Sequence, residues 1–210
     1  MDNSTHTSTY SASFTAGSLL HRETTSILHL LEAENTQELL KSEAKNNQYI
    51  QINSEKSRKR VIAEINKRYA VVKPDFWEYY KTRNVKEQKA MLFYICLRCY
   101  KLMFDFHFNV TVKKWLSSTQ SVEPFLYRME LSEISGRHQN VNNWSQNTKD
   151  KTISVYLRVL KDIGMLNGKT MELKPLLLTD ELMQFFAGRN EFWFFDACLL
   201  PPHIKNSFTS

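Results

Sequence analysis

The sequence has little glycine or proline, with five of each among 210 residues. So few backbone breakers argue against an all-β protein with many tight turns and favour long helices. The longest uninterrupted apolar run, from Ala90 to Leu97, has eight residues, whereas a membrane-spanning helix needs about 20. Three cysteines, an odd number, fit a reduced cytosol better than a framework of disulfides.

The chain also lacks the common sequence motifs of enzymes. It contains no phosphate-binding glycine loop, no Gly-x-Ser-x-Gly elbow and no paired-acid motif, and its six histidines show no metal-ligand spacing. Cys96 and Cys99 have the spacing of a redox pair, but they lie in mid-helix, away from a helix N-terminus that would lower a thiol pKa. We therefore expect both cysteines to pack in the core, and we predict no catalytic residues, no cofactor and no metal site.

The formal net charge is +6, and it is unevenly distributed. Residues 51–70 carry a net charge of +4 and residues 145–174 a net charge of +3, whereas 1–50 and 175–210 are acidic. Basic blocks between acidic ends favour a basic surface that binds an acidic partner such as nucleic acid. The charge pattern leaves open the alternative that these side chains only solvate helix surfaces.

Local signals predict helices along most of the chain. A capping box begins the longest predicted helix at Asn84, and this helix runs to about Phe108. It is apolar nearly all round, which is typical of a buried central element. Ser121 is predicted to cap a later helix that ends at Gly136. Asn167-Gly168 is typical of the turn of a β-hairpin.

A helix predicted over Ser54–Tyr69 (SEKSRKRVIAEINKRY) carries most of the first basic block. At 100° per residue its apolar positions share one side, and Ala63 lies among the cations of the opposite side. A helix docked against DNA needs this combination, because cations bind phosphates and a small residue allows close approach. The candidate DNA contacts on this face are Lys56, Lys59, Arg60 and Lys67.

Arg58 is the one cation in this part of the helix that the 100° spacing places on the apolar side. We expect it to be partly structural, paired with a carboxylate or with carbonyl groups. A predicted helix at 36–45 and a polar connection at 46–53 precede this helix, which completes a helix-turn-helix order. The connection exceeds the usual three or four residues, so a plain helical hairpin remains an alternative.

A helix predicted over Thr148–Ile163 repeats the pattern. Its outward face combines amides, hydroxyls and cations that can bond base edges, with Val155 as a methyl-bearing residue for thymine. The free N–H groups of its first turn can bind a phosphate. The candidate DNA contacts here are Asn147, Lys149, Lys151, Ser154, Arg158 and Lys161. The hairpin that follows suggests a small wing, and an ordinary helix–hairpin unit packed for stability is the alternative.

Three stretches together resemble the BrxA family of bacteriophage-exclusion (BREX) systems. They are Ser13–Leu20 (SFTAGSLL), Ser54–Tyr69, and Trp144 followed by Lys149–Leu166 (KDKTISVYLRVLKDIGML). The resemblance implies an all-helical cytoplasmic protein with helix-turn-helix elements that binds double-stranded DNA. It also implies a place in a phage-defence system beside a DNA methyltransferase and ATPases, with no catalytic residues to carry over.

These observations predict an all-α protein, a compact helical bundle with two helix-turn-helix-like units. We expect a mobile tail at 1–12, an N-terminal helical part with the central buried helix at 13–118, a winged-helix-like unit at 119–187, and an aromatic tail at 188–210 that packs back on the domain. The predicted function is a non-enzymatic, monomeric component of the defence system that binds double-stranded DNA and has no membrane span. A protein–protein adaptor with an acidic partner is the alternative.

Overall fold

Helices account for the architecture, and the predicted all-α class is confirmed. The computed structural model describes residues 9–208. After a 3-10 turn at Ser13–Ala16 its elements are α1 (His21–Leu31), α2 (Thr36–Asn46), α3 (Glu55–Tyr69), α4 (Pro74–Lys81), α5 (Val85–Cys99), α6 (Lys101–Asp105), a π-helical segment (Phe106–Val112), α7 (Lys113–Trp115), α8 (Pro124–Arg137), α9 (Gln139–Asn142), α10 (Gln146–Asp162), α11 (Asp180–Ala187), α12 (Trp193–Ala197) and α13 (Pro202–Asn206).

The central element is α5, and its start follows the sequence signal. Asn84 caps the helix by accepting hydrogen bonds from the N–H groups of Lys86 and Glu87, while the Glu87 carboxylate accepts one from the N–H of Asn84. The capping box is therefore confirmed. Every side chain from Ala90 to Leu97 is buried, as expected for a helix without a polar face.

The prediction that this helix runs without a break to Phe108 is wrong. Tyr100 has extended backbone angles (φ −125°, ψ 105°), so the chain bends there before α6 begins. The following helix then widens into the π-helical segment, which contains His107. Neither proline nor glycine occurs between α5 and α7, so the usual sequence signals of a kink are absent here.

The predicted hairpin after α10 is present in rudimentary form. In the part of the chain that the structure describes, the extended pairings are two isolated antiparallel bridges, Leu166 with Leu173 and Ser121 with Glu172. The extended segment of the second hairpin arm is limited to residues 172–174. Before it, Met171 has a φ of +56°, and after it Pro175 lacks the N–H group that a further pairing would need. The predicted cap at Ser121 is therefore wrong, because this residue pairs with the hairpin and Glu123 precedes α8 instead.

Two further predictions about α8 and the N-terminus need correction. Gly136 does not end α8, which includes it and continues to Arg137. Of the tail predicted at 1–12, residues 1–8 lie outside the described residues. Tyr10 is buried and its hydroxyl donates to the Asp105 carboxylate at 2.5 Å, so the folded body begins before residue 12.

One continuous core joins the parts predicted at 13–118 and 119–187. The aromatic residues after Gly188 contribute to it, because Phe194 and Phe195 are buried. Phe194 lies against Tyr94 of α5 with ring centroids 5.3 Å apart. The two basic helices, α3 and α10, are thus supported by a single apolar interior.

Candidate nucleic-acid interface

The first basic face is the outward side of α3. Ser54 caps this helix by accepting a hydrogen bond from the N–H of Ser57, and Glu55 lies favourably in the first turn. The side chains of Val61, Ile62 and Ile65 are buried, so the opposite side faces solvent. The four predicted contacts, Lys56, Lys59, Arg60 and Lys67, are all exposed, with the exposed Ala63 among them.

These four cations differ in how firmly they are held. Lys59 forms an exposed ion pair with Glu55 at 2.6 Å. Arg60 donates to the hydroxyl of Thr15 at 3.3 Å. Within residues 9–208, Lys56 has no hydrogen-bond or ion-pair partner, so its ammonium group is free to bind a phosphate.

Lys67 is held from two sides. Its ammonium group donates to the hydroxyl of Ser13 at 3.3 Å and lies 4.7 Å from the centre of the Tyr100 ring. Both contacts reduce the freedom of a long side chain, which lowers the entropy that a bound ligand would have to remove.

Arg58 is structural, as the helical wheel predicts. It is buried, and its guanidinium group donates to four backbone carbonyls at 2.8–3.1 Å. These belong to Ala44, Lys45, Ile52 and Asn53. Arg58 thereby satisfies carbonyls at the end of α2 and in the connection that follows, which fixes α2 against α3.

Glu43 completes this anchor from the other side. Its buried carboxylate accepts hydrogen bonds from the N–H groups of Gln48, Tyr49 and Ile50 at 2.8–3.2 Å. The connection between α2 and α3, residues 47–54, is longer than in a tight helix-turn-helix. The two anchors hold it in a defined path despite its length.

The second basic face lies on α10. Ser145 caps this helix by accepting a hydrogen bond from the N–H of Thr148. Five of the predicted contacts are exposed: Asn147, Lys151, Ser154, Arg158 and Lys161. In the part of the chain that the structure describes, the side chains of Lys151 and Arg158 form no ion pair, so both cations are available to a ligand.

On α10 one candidate contact is less exposed than the others, and one expectation fails. Lys149 lies away from the exposed face, is half-buried, and donates to the backbone carbonyl of Asn142 at 3.2 Å. Its ammonium group thus satisfies a carbonyl at the end of α9. Val155 is only 6% exposed, because the hydrophobic contact zone of α10 is wider than one apolar stripe. It cannot present a methyl group to a base.

The N-terminal segment joins the two basic helices. The turn at Ser13–Ala16 packs against both α3 and α10. Ser18, just after the turn, donates to the Asp162 carboxylate at the end of α10 at 2.5 Å. One short segment therefore contacts both basic helices. The helical pattern does not predict that Ser13 and Thr15 contact cations of α3, because these residues are far from α3 in the sequence.

The cysteine pair of α5 behaves as core. Cys96 and Cys99 are buried, and burial raises the pKa of the Cys96 thiol and raises that of Cys99 to about 12. A thiol with a raised pKa is a poor nucleophile and a poor metal ligand at neutral pH. None of the helices within residues 9–208 combines the length and the apolar character that crossing a bilayer requires.

Comparison with known proteins places this fold in a family. No curated protein matches the chain. A crystal structure of an uncharacterized protein from Magnetospirillum magneticum is similar, with a TM-score of 0.74 and 19% sequence identity over 90% of this chain and 97% of that one. The likeness extends to nearly the whole fold. A family model described as BrxA matches residues 8–190. The chain therefore belongs to the BrxA family, which suggests a role in a BREX phage-defence system.

Proposed function

We propose that the chain is a non-enzymatic component of a BREX system that binds double-stranded DNA in the cytoplasm through the basic faces of α3 and α10. The observation that carries the proposal is the pair of exposed cationic faces on two helices that pack against one N-terminal turn. Cations on two helices that contact one turn suit the repeated phosphates of a duplex better than they suit a single small anion.

The order of elements around α10 supports the same function. The π-helical segment and α7 precede the paired residue Ser121, then come α8, α9 and α10, and the short hairpin follows. This is the order of a winged-helix unit, with α10 in the position of the recognition helix. The side chains of Asn147, Ser154 and Arg158 supply the amide, hydroxyl and guanidinium groups that bond base edges in a major groove.

The α3 unit contributes a different kind of contact. Its exposed face offers only Lys, Arg and Ala side chains, which suit phosphates rather than base edges. The anchored connection before it keeps this face at a fixed position relative to the core. A monomer with two such helices has enough contacts to hold one duplex, beside the methyltransferase and ATPases of the defence system.

The salt dependence of DNA binding tests this proposal. We expect Lys56→Ala/Lys59→Ala/Arg60→Ala/Lys67→Ala to weaken binding at least about tenfold at physiological salt and to lower the slope of log K against log salt by about one per lost phosphate contact. Fluorescence anisotropy of a labelled duplex across a salt series measures both quantities. Lys151→Ala/Arg158→Ala/Lys161→Ala tests the α10 face in the same way.

A matched control removes three exposed cations outside these faces: Arg22, Lys73 and Lys113. This control loses three positive charges, as the α10 variant does. If the slope of log K against log salt falls equally in the two variants, the interface is not localised to α10. If the quadruple α3 variant is folded and keeps the wild-type slope of log K against log salt, α3 does not contact DNA. If the wild-type protein binds no DNA below about 100 μM, the adaptor function is favoured instead.

A further inference from the structure

A second surface, separate from most of the basic faces, has the character of a protein-docking site. A cleft of about 540 Å³ lies between the start of α5, the end of α10 and the extended residues 174–179. Its lining is mainly aliphatic, and includes Ala90, Ile163, Leu176, Leu178 and Leu182. Of the residues that line the cleft, the DNA-binding proposal uses only Lys161.

The cleft exposes two large aliphatic side chains that the fold leaves uncovered. Leu177 is 75% exposed and Val85 is 55% exposed, and both line the cleft. Single exposed aliphatic residues are ordinary on a protein surface. Two of them on a concave, mainly apolar surface form the kind of patch that marks an interaction site.

Charge identifies the class of occupant. Lys86, Lys89 and Lys161 line the cleft. The carboxylates of Glu87 and Asp162 also lie there, but they already accept hydrogen bonds from Thr179 and from Ser18. These donors are neutral hydroxyls, so both carboxylates keep their charge. The three lysines against two carboxylates leave the lining with a net charge of +1, which favours a negatively charged ligand. A second copy of this chain is disfavoured, because a symmetric interface would bring the same lysines together.

We propose that this cleft docks an acidic amphipathic segment of another protein of the same BREX system. Aliphatic side chains of the segment cover Val85 and Leu177, and its carboxylates pair with the surrounding lysines. The cleft lies at the C-terminal end of α10. Asn147 lies about 20 Å away along the helix at a rise of 1.5 Å per residue. The partner and DNA therefore share Lys161, while the other DNA contacts of α10 extend from Arg158, about one turn before Lys161, to Asn147 at the opposite end.

The proposal is tested with the purified proteins of the same BREX system, titrated one at a time into the full-length chain by isothermal titration calorimetry. We expect one of them to bind with a Kd of about 10 μM or tighter. Leu177→Asp should weaken that binding at least about tenfold, because it places a charge in the centre of the apolar contact. Lys86→Glu should weaken it about fivefold, and the loss should shrink at high salt.

Leu116→Asp is the matched control, because Leu116 is 78% exposed but does not line the cleft. It should leave binding unchanged, and all three variants should keep the wild-type affinity for DNA. The proposal is overturned if none of the proteins binds at about 50 μM, or if Leu177→Asp binds as the wild type does. Self-association abolished by Leu177→Asp would assign the cleft to a second copy and would also overturn it. A wild-type chain that binds no DNA but keeps a Leu177-sensitive partner refutes only the proposed function.

Discussion

Arg68→Ala is expected to lower the free energy of unfolding by about 3–5 kcal/mol, which is a large part of the stability of a typical domain. Arg68 is 2% exposed and lies 3.7 Å from the buried carboxylate of Glu64. Its guanidinium group also donates to the Tyr100 hydroxyl at 2.8 Å and to the carbonyls of Ser18 and Leu19 at 3.0–3.2 Å. Removing it leaves a buried carboxylate without its counter-charge.

Urea denaturation followed by tryptophan fluorescence measures this loss. Arg60→Ala is the control on the same helix, since Arg60 is exposed and its removal should change stability by at most about 1 kcal/mol. The double variant Glu64→Gln/Arg68→Met removes both charges. The loss of stability in this double variant should therefore be smaller than the sum of the losses in Glu64→Gln and Arg68→Met, by at least about 1 kcal/mol. Additive effects, or a loss below about 1 kcal/mol for Arg68→Ala, would contradict a coupled buried pair.

This cluster also links stability to the candidate interface. The carbonyls of Ser18 and Leu19 lie shortly after the turn at Ser13–Ala16, which contacts both α3 and α10. Tyr100, which donates to Glu64, lies at the bend after α5 and under the ammonium group of Lys67. One buried ion pair thus fixes the turn, the bend and a cation of the basic face. We infer that α3 keeps its place against the N-terminal segment and the bend at Tyr100 through this cluster.

Helical periodicity and capping motifs in the sequence predict correctly which side of α3 is buried and where α5 begins. The 3.6-residue period assigns Arg58 to the inner side of α3 and the cations to the outer side, because burial follows the period when a helix packs on one face. The capping box at Asn84 is equally local, since its donors and acceptors lie within four residues. Such features depend on neighbours along the chain, and the sequence alone reveals them.

The period fails where contacts come from distant parts of the chain. Val155 is predicted to face outward, but α10 is covered on more than one side, so the residue is buried. The bend at Tyr100 has no proline or glycine to announce it; its hydroxyl is held by Glu64 and Arg68 of another helix. These outcomes follow from tertiary contacts, which a single helical wheel does not contain.

The stability of the protein is expected to fall by about 3 kcal/mol between pH 7 and pH 4 through one group, His107. Burial lowers the pKa of His107 from its usual 6.5 to about 4. Between these two values the unfolded chain binds a proton that the folded protein does not, so the free energy of unfolding decreases as the pH falls, by up to about 1.4 kcal/mol per pH unit. Above pH 6.5 the contribution of His107 is fully present.

The hydrogen bonds around His107 explain why the proton is excluded. Nε2 lies 2.7 Å from the carbonyl of Ala197, which can only accept, so Nε2 carries the hydrogen and Nδ1 accepts from the Tyr156 hydroxyl at 2.8 Å. The Tyr156 oxygen in turn accepts from Thr111 at 2.6 Å, and Thr111 accepts from Tyr127 at 2.9 Å. A proton on Nδ1 would place two donors face to face and charge a fully buried ring.

Urea denaturation at several pH values between 7 and 4 tests this assignment against His107→Gln. The amide of glutamine cannot be protonated in this range, so the variant should lose about 3 kcal/mol less than the wild type over the same interval. Carboxylates contribute equally to both proteins, and the difference between the two curves therefore isolates His107. His203→Gln replaces an exposed histidine and should follow the wild type. The assignment is contradicted if the free energy of unfolding depends on pH in the same way for the wild type and for His107→Gln. In that case the buried hydrogen bonds that run from Tyr127 to Ala197 do not keep His107 neutral.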